Sequence, residues 1–386
     1  MIQCARAIGF VKGVLNRPMA FSRRFTNVTG VTFILSGVPI SDSGGGQRAT
    51  QLALELLHRN NLVVFINKFP RHESVDLNIQ IMEPNLLTYS VDCFDLQTFM
   101  ESYRLVLRNK DVSAIVEFPL PDFVPLVNGI RAIGGTIIYD LIDDWTTSLG
   151  SSWYSVKTEQ AIIKASDILI ATSQPLREQL EQLSGRPVTL VPNAVNLNIF
   201  SRSTNYERPP DLVPGEFVIC YIGALWGEWF NWDLLRKIAL AYPKASVIVI
   251  GDYRGQCAQP PPNLHFLGLK AQTELPAYLA HSDVTIIPWT VSQLTHATNP
   301  LKVYEYLAMG KPVVAPPIKA LEGIPYVFLS DSDREFITNI DKARRTKVDV
   351  VVIESFIQRN SWAQRVSLLA DLVRQSGKRM NNSSEV

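Results

Sequence analysis

At 386 residues and 43.2 kDa, with 46% hydrophobic and 19% charged residues, the chain is too long for one small module and too apolar to be disordered. The 37 Lys and Arg against 36 Asp and Glu leave a net charge of +1, which excludes the broad basic field a nucleic-acid partner requires.

Charge is uneven along the chain. Residues 1–30 hold Arg6, Lys12, Arg17, Arg23 and Arg24 and no acid, so the remainder carries −4. This leader reads as a basic arm at a membrane surface, an Arg-rich targeting segment, or a frayed start. No apolar run reaches the roughly 18–20 residues that cross a bilayer. Cys4, Cys93, Cys220 and Cys257 are too dispersed for metal-ligand pairs and too few to staple a chain of this size. A cytoplasmic setting is predicted, with peripheral membrane association through the leader open.

From Val31 onward short β-branched runs alternate with longer stretches at helical spacing, the pattern of a parallel sheet with crossover helices. Val31–Ser36 predicts a strand. A loop through Ser43, Gly44, Gly45 and Gly46 then leads to a helix from about Gln47, on which Ala49, Leu52, Ala53, Leu56 and Leu57 form one stripe. Further strands are predicted at Leu62–Asn67, Ala114–Phe118, Thr136–Leu141, Ile168–Ala171 and Val188–Val191. Helices are predicted at Asp95–Arg108, Ser155–Ala165 and Pro175–Leu183. The segment Ser201–Pro214, interrupted by Pro209, Pro210 and Pro214, reads as a linker.

A second series follows, with strands at Phe217–Ile222, Ser246–Ile250, Leu264–Leu267, Val284–Ile287 and Pro312–Ala315. Its predicted helices are Asn231–Ala241, Glu274–Ala280, Leu301–Met309 and Asp333–Arg345. The fold class is therefore α/β, two Rossmann-like doubly wound domains (residues 31–205 and 206–360) facing a cleft. A closing helix, residues 361–375, packs back on the first domain.

Three clusters in this frame carry chemistry. Gly44, Gly45 and Gly46 lie where a strand hands over to a helix, so backbone can approach a ligand there, but neither G-x-G-x-x-G nor the P-loop pattern is present. Asn299 and Pro300 punctuate the start of the Leu301 helix and Gly310 its end. The free N–H groups of Leu301, Lys302 and Val303 and the positive end of the helix dipole suit a diphosphate, with Lys302 adding a charge and Glu305 placed to accept two ribose hydroxyls. An ordinary buried helix with a snorkelling Lys is the alternative. Asp140 near the end of a predicted strand of the first half, and Asp143 and Asp144 just after it, stand where acids bind sugar hydroxyls, deprotonate an acceptor, hold a metal or merely cap a helix. The five histidines, His58, His72, His265, His281 and His296, show no metal or triad spacing; His296 alone falls in a loop expected to face the cleft.

These segments together resemble the GT-B glycosyltransferases of the large retaining family called group 1 or family 4, over about Val31 to Val373. The most specific piece is Asn299-Pro300-Leu301-Lys302-Val303-Tyr304-Glu305 through Gly310-Lys311-Pro312. Gly44-Gly45-Gly46-Gln47, Val191-Pro192-Asn193-Ala194, Tyr221-Ile222-Gly223-Ala224 and Asn263-Leu264-His265-Phe266-Leu267-Gly268 support it. The resemblance implies transfer of a sugar from a nucleotide-sugar donor to an acceptor hydroxyl, with retention and without a metal or other cofactor, the nucleotide sugar being a co-substrate. Donor contacts are implied at Asn299, Leu301, Lys302, Val303, Glu305, Gly223, Gly268 and Leu269, and acceptor-side catalysis at Asp143 or Asp144. A polysaccharide or lipid-linked glycan acceptor is implied, and no nucleic acid. A GT-B epimerase and a catalytically silent nucleotide-sugar binder are the alternatives. Two departures stand out: Ala297 replaces the first of the family's two Glu residues, and Ala224-Leu225-Trp226-Gly227-Glu228-Trp229 replaces a segment that usually carries an Arg and a Lys.

Overall fold

A computed structural model describes residues 27–73, 75, 77–225, 227–252, 257 and 259–383. The five basic residues of the leader and Trp226 lie outside the described residues.

Seven strands form the first sheet: β1 (Gly30–Ser36), β2 (Leu62–Asn67), β3 (Leu86–Ser90), β4 (Asp111–Val116), β5 (Thr136–Leu141), β6 (Ile168–Ala171) and β7 (Thr189–Leu190). Their order is β3-β2-β1-β4-β5-β6-β7 and every pairing is parallel. The side-chain period of two sorts residues between the faces: Phe33, Leu35, Val64 and Tyr139 join one buried cluster, and Ile34, Val63, Phe65 and Ile138 the other. Helices cover both faces, which is why β1 and β5 are buried along their whole length.

The second sheet takes β8 (Val218–Ile222), β9 (Ser246–Ile250), β10 (Leu264–Phe266), β11 (Val284–Ile286), β12 (Val313–Ala315) and β13 (Val327–Leu329), in the parallel order β10-β9-β8-β11-β12-β13. Strand order reverses between β1 and β4 and again between β8 and β11. Loops leaving these strands diverge at that point and leave a crevice at the carboxyl ends. The glycine loop follows β1, Glu117 follows β4 and Gly223 follows β8, so all three reach that crevice.

The structure corrects several boundaries. β4 stops at Val116, so Glu117 and Phe118 belong to a loop and not to a strand. The expected Asp95–Arg108 helix breaks at Tyr103 into Leu96–Ser102 and Arg104–Leu107. His296 sits in a short helix, Gln293–Ala297, rather than a loop. β3, β13 and the helices Phe123–Ala132 and Val350–Arg359 were not anticipated.

The chain crosses back where Val195 pairs with Ser361. From there the Trp362–Ser383 helix lays Trp362, Val366 and Leu369 against Ala49, Leu52 and Val191 of the first unit. Among the described residues no helix is long and apolar enough to cross a membrane.

Candidate active site

A cavity of about 780 Å³ opens between the carboxyl ends of the two sheets, with walls drawn from both. Such a volume is typical of small-molecule sites. Hydrogen bonds hold the halves together around it: Ser148 Oγ to Glu228 Oε1 (2.7 Å), Gln293 Nε2 to Asp144 Oδ2 (2.9 Å) and Asn193 Nδ2 to the Asn299 carbonyl (2.7 Å).

On the second-sheet side the Leu301–Ala308 helix begins one residue later than its sequence punctuation suggests, with Pro300 at the cap. Asn299 does not cap it. Its Oδ1 accepts the Asn193 N–H (3.0 Å) and its Nδ2 donates to Tyr304 Oη (3.2 Å), so this amide ties the helix entrance to the first unit. The Val303 N–H turns back to the Pro300 carbonyl (3.3 Å), and the Val303 side chain is fully buried. Leu301 packs half-buried against the cluster containing Ala49 and Trp362.

Lys302 reaches from the first turn toward β8. Its ammonium lies 4.3 Å from the centroid of the Trp289 ring and 5.7 Å from that of Tyr221. Trp289 Nε1 donates to Tyr221 Oη (3.2 Å), and Tyr221 Oη donates to the Ala224 carbonyl (3.0 Å), which fixes both rings. Burial pushes the ammonium down to about 8, against the opposing pull of Glu305. Among the described residues no carboxylate forms an ion pair with it. Gly223, on the cavity wall, makes room for this side chain: a Cβ there would lie 2.6 Å from Lys302 Cε, at a φ of +153°.

Glu305 lies one turn deeper and is 5% exposed. Gln272 Nε2 donates to its Oε1 (2.8 Å), Gln51 Nε2 donates to Gln272 Oε1 (2.7 Å), and Asn196 Nδ2 donates to Gln51 Oε1 (3.0 Å). Burial raises the Glu305 carboxyl to about 7. One of the two Glu305 oxygens that a ribose would use is thus already taken by the Gln272 amide. Leu269 lines the cavity, while Gly268 turns beside it in the left-handed region (φ +73°) and accepts the Gly251 N–H (3.0 Å).

On the first-sheet side the glycine loop forms a tight turn, Asp42–Gly45, with Gly44 and Gly45 at positive φ. A Cβ on Gly44 would lie 2.5 Å from the Lys270 carbonyl, so the loop touches the opposite half directly. The Gly45 carbonyl accepts Gln51 Nε2, and Gly46 closes the turn onto Ser43.

The two candidate aspartates part company. Asp143 lines the cavity, receives only a long contact from Thr298 Oγ1 (3.5 Å), and is raised to about 7 by burial. Asp144 turns away and accepts from the Thr146 N–H, Thr146 Oγ1, Gln179 and Gln293, the pattern of a structural tie.

Sequence reading missed Glu117. It is 2% exposed, its Oε1 has no hydrogen-bond partner, and burial reinforced by Asp140 raises it to about 8. Nearby, Arg48 Nε donates to Asp140 Oδ2 (2.8 Å) and Arg48 Nη1 to Asn193 Oδ1 (3.2 Å). The only signal for Glu117 was an acid directly after a β-branched run. Its placement inside the predicted strand hid it.

The two departures also have a place. Ala297 is buried and its carbonyl accepts Ser173 Oγ, while Ala224, Gly227, Glu228 and Trp229 line the cavity.

Residues 216–343 match the family model described as Glycosyl transferases group 1. Among solved structures, sucrose-phosphate synthase of Thermosynechococcus elongatus superposes with a TM-score of 0.62 at 14% identity, covering 90% of this chain and 98% of that one. HepE of Anabaena in complex with UDP and glucose superposes with a TM-score of 0.62 at 15% identity, covering 89% and 99%. The chain thus has the GT-B fold and carries a group 1 glycosyl transferase domain. It is also similar over 235 residues, at 27% identity, to TuaH of Bacillus subtilis (strain 168), named for teichuronic acid biosynthesis as a glycosyltransferase. That match covers 55% of this chain and little more than half, 58%, of TuaH.

Proposed function

We propose that the protein transfers a sugar from a nucleotide-sugar donor to an acceptor hydroxyl, with retention at the anomeric carbon and no metal, in building a polysaccharide or lipid-linked glycan. The observation that carries this reading is Lys302: a half-buried lysine whose ammonium has no carboxylate ion-pair partner among the described residues, at the amino end of a helix, beside a glycine on the wall of a cavity shared by two sheets. A diphosphate supplies the missing countercharge. As the bond from the sugar to the diphosphate breaks, its electron pair passes to the departing phosphate oxygen, where Lys302 and the Leu301 and Lys302 amides stabilise it. The acceptor hydroxyl attacks the same face, and Asp143, raised to about 7, takes up its proton. Uridine nucleotides are the first donors to try, because HepE was crystallised with UDP.

Thermal-shift titration with UDP-glucose and other nucleotide sugars tests this reading. A ligand that binds only the folded state raises Tm, and the shift is expected to vanish in Lys302→Ala. A panel in which no nucleotide sugar moves Tm rejects it.

A silent nucleotide-sugar binder is the second reading, favoured by Ala297 and by the Gln272 amide seated on Glu305. Nucleoside diphosphate release that depends on added acceptor separates the two.

A further inference from the structure

The cavity has an aromatic wall that the donor contacts do not use. Phe118 lies 4.6 Å from Trp145 and 5.6 Å from Trp153, centroid to centroid; Trp145 and Trp153 are 5.0 Å apart, and Phe69 is 6.2 Å from Trp153. All four line the cavity. The wall is fixed from behind. A Cβ on Gly37 would lie 2.4 Å from the Phe118 ring, so only glycine admits it. The turn carrying Trp153 closes through the Trp153 N–H to the Gly150 carbonyl (3.0 Å), and Tyr139 and Tyr154 both donate to Glu159 (2.6 and 2.8 Å).

At the foot of the wall stand polar atoms with nothing to bind. Glu117 Oε1 and Trp145 Nε1 are buried without a hydrogen-bond partner, and Asp143 has only its long contact to Thr298. A buried polar atom left unsatisfied costs about 1–3 kcal/mol, so a ligand bearing hydroxyls relieves a standing penalty. Flat rings beside carboxyl oxygens match the two sides of a sugar, whose C–H face stacks on aromatic carbon while its hydroxyls take the polar groups.

Charge narrows the class. Asp42, Glu73, Glu117 and Asp143 line this side, and its guanidinium groups each pair with an acid, Arg48 with Asp140 (2.8 Å) and Arg71 with Glu73 (3.4 Å), with Arg48 Nη2 left without a partner. A neutral ring needs no countercharge among these acids, whereas an anionic sugar would bring a charge that protonated carboxyls do not neutralise.

We propose that Phe118, Trp145 and Trp153, with Glu117 and Asp143 at their foot, form a subsite for an uncharged pyranose ring of the acceptor. This rests on the transferase reading above and names its acceptor class. Saturation-transfer NMR of the full chain, with UDP present, tests it against methyl glucoside, methyl galactoside, methyl N-acetylglucosaminide and methyl glucuronide. At least one neutral glycoside is expected to bind saturably, and the glucuronide about tenfold more weakly or not at all. Trp153→Ala is expected to weaken the neutral glycoside about tenfold and Trp153→Phe to restore most of it, because a ring is retained. UDP affinity by calorimetry stays unchanged in both. If Trp153→Ala does not fold, Phe118→Leu is measured in its place with the same expected weakening.

Binding of no neutral glycoside, equal or tighter binding of the glucuronide, or affinity indifferent to both substitutions overturns the subsite. Failure of the donor reading looks different: UDP and nucleotide sugars do not bind, while ring-dependent glycoside binding persists.

Discussion

The two walls of the cavity share one architecture, parallel strands ending at a topological reversal, yet burial acts on them with opposite chemical result. On the first-sheet wall it raises acids: Glu117 to about 8, Asp143 to about 7, and Glu73, next to Asp42, to about 7. On the second-sheet wall it lowers the ammonium at the helix entrance, Lys302, to about 8, while the deeper Glu305 is raised to about 7 like the acids opposite. Desolvation penalises the charged form of either sign. A wall of half-neutral carboxyls is suited to hydroxyls, which accept and donate without bringing charge. A lone desolvated ammonium is suited to an anion that restores its charged state. The division of labour between acceptor and donor thus follows from which titratable group each loop delivers.

The sharpest way to break the comparison is at Asp143. Asp143→Asn is expected to lower kcat by about 100-fold or more, the scale of a lost general base, with KM for the donor little changed. Asp144→Asn, which disturbs the bonds to Thr146, Gln179 and Gln293, is expected to lower Tm and leave kcat close to wild type. Steady-state kinetics on the two variants checks this, and equal losses in kcat would dissolve the distinction between them.

Lys302 comes next. Lys302→Ala is expected to weaken UDP or UDP-sugar binding by about 100-fold, the order seen when one partner of a buried charge pair is removed. Because the empty-site ammonium sits at about 8, wild-type affinity should hold from pH 6 to 7 and fall as pH rises through 8 and the proton leaves. Calorimetric titration across that range reads it, and a flat profile would mean that the diphosphate does not meet this group.

Much of this arrangement was legible in the sequence, and the parts that were not have definite causes. β2, β6 and β9 declared themselves as nearly continuous apolar runs because helices bury both of their faces. The Phe123–Ala132 helix was concealed by Pro125 and Gly129, ordinarily breakers. Pro125 falls in the first turn, where no N–H is missed, and Gly129 is small because a Cβ would lie 2.5 Å from Leu96. β3 and β13 are edge strands, only partly buried and short, so their pattern is weak. At the site, Lys302 and the glycine loop announced themselves through helix punctuation and turn chemistry. Glu117, Gln272 and the ring cluster of Phe118, Trp145 and Trp153 did not, because their importance lies in contacts between separate loops, or between the two halves, and no local period records that.

The buried acids on both sides of the cavity have a further signature in stability. The native carboxyls of Glu117, Asp143 and Glu305 hold protons that the unfolded chain has released by about pH 5, so the native state binds more protons and stability falls as pH rises from about 4.5 to about 8. Lys302 works the other way above that window, since the unfolded chain keeps its proton up to about 10.5 and stability recovers. Glu117→Gln removes one of the groups responsible and is expected to raise stability at pH 8 by roughly 1–3 kcal/mol while changing little at pH 5. Denaturant unfolding at the two pH values decides it, and an equal change at both would mean the Glu117 carboxyl is already ionised in the native state.

The smallest expected effect lies at the rim, where Ser148 Oγ bridges to Glu228 from one half to the other (2.7 Å). Both residues are exposed, so water replaces the bond cheaply, and Ser148→Ala is expected to cost no more than about 0.5–1.5 kcal/mol of stability. Its value is as a contrast to the bridge from Gln293 to the buried Asp144 (2.9 Å), whose loss removes one of the bonds to a carboxylate already withdrawn from water. If the walls are held in register by buried ties and merely laced at the mouth, Ser148→Ala should leave Tm nearly unmoved and speed UDP association slightly, whereas Gln293→Ala should lower Tm by several times as much. Stopped-flow binding beside thermal melts distinguishes these outcomes, and a larger loss at Ser148 than at Gln293 would place the restraint between the halves at the surface instead.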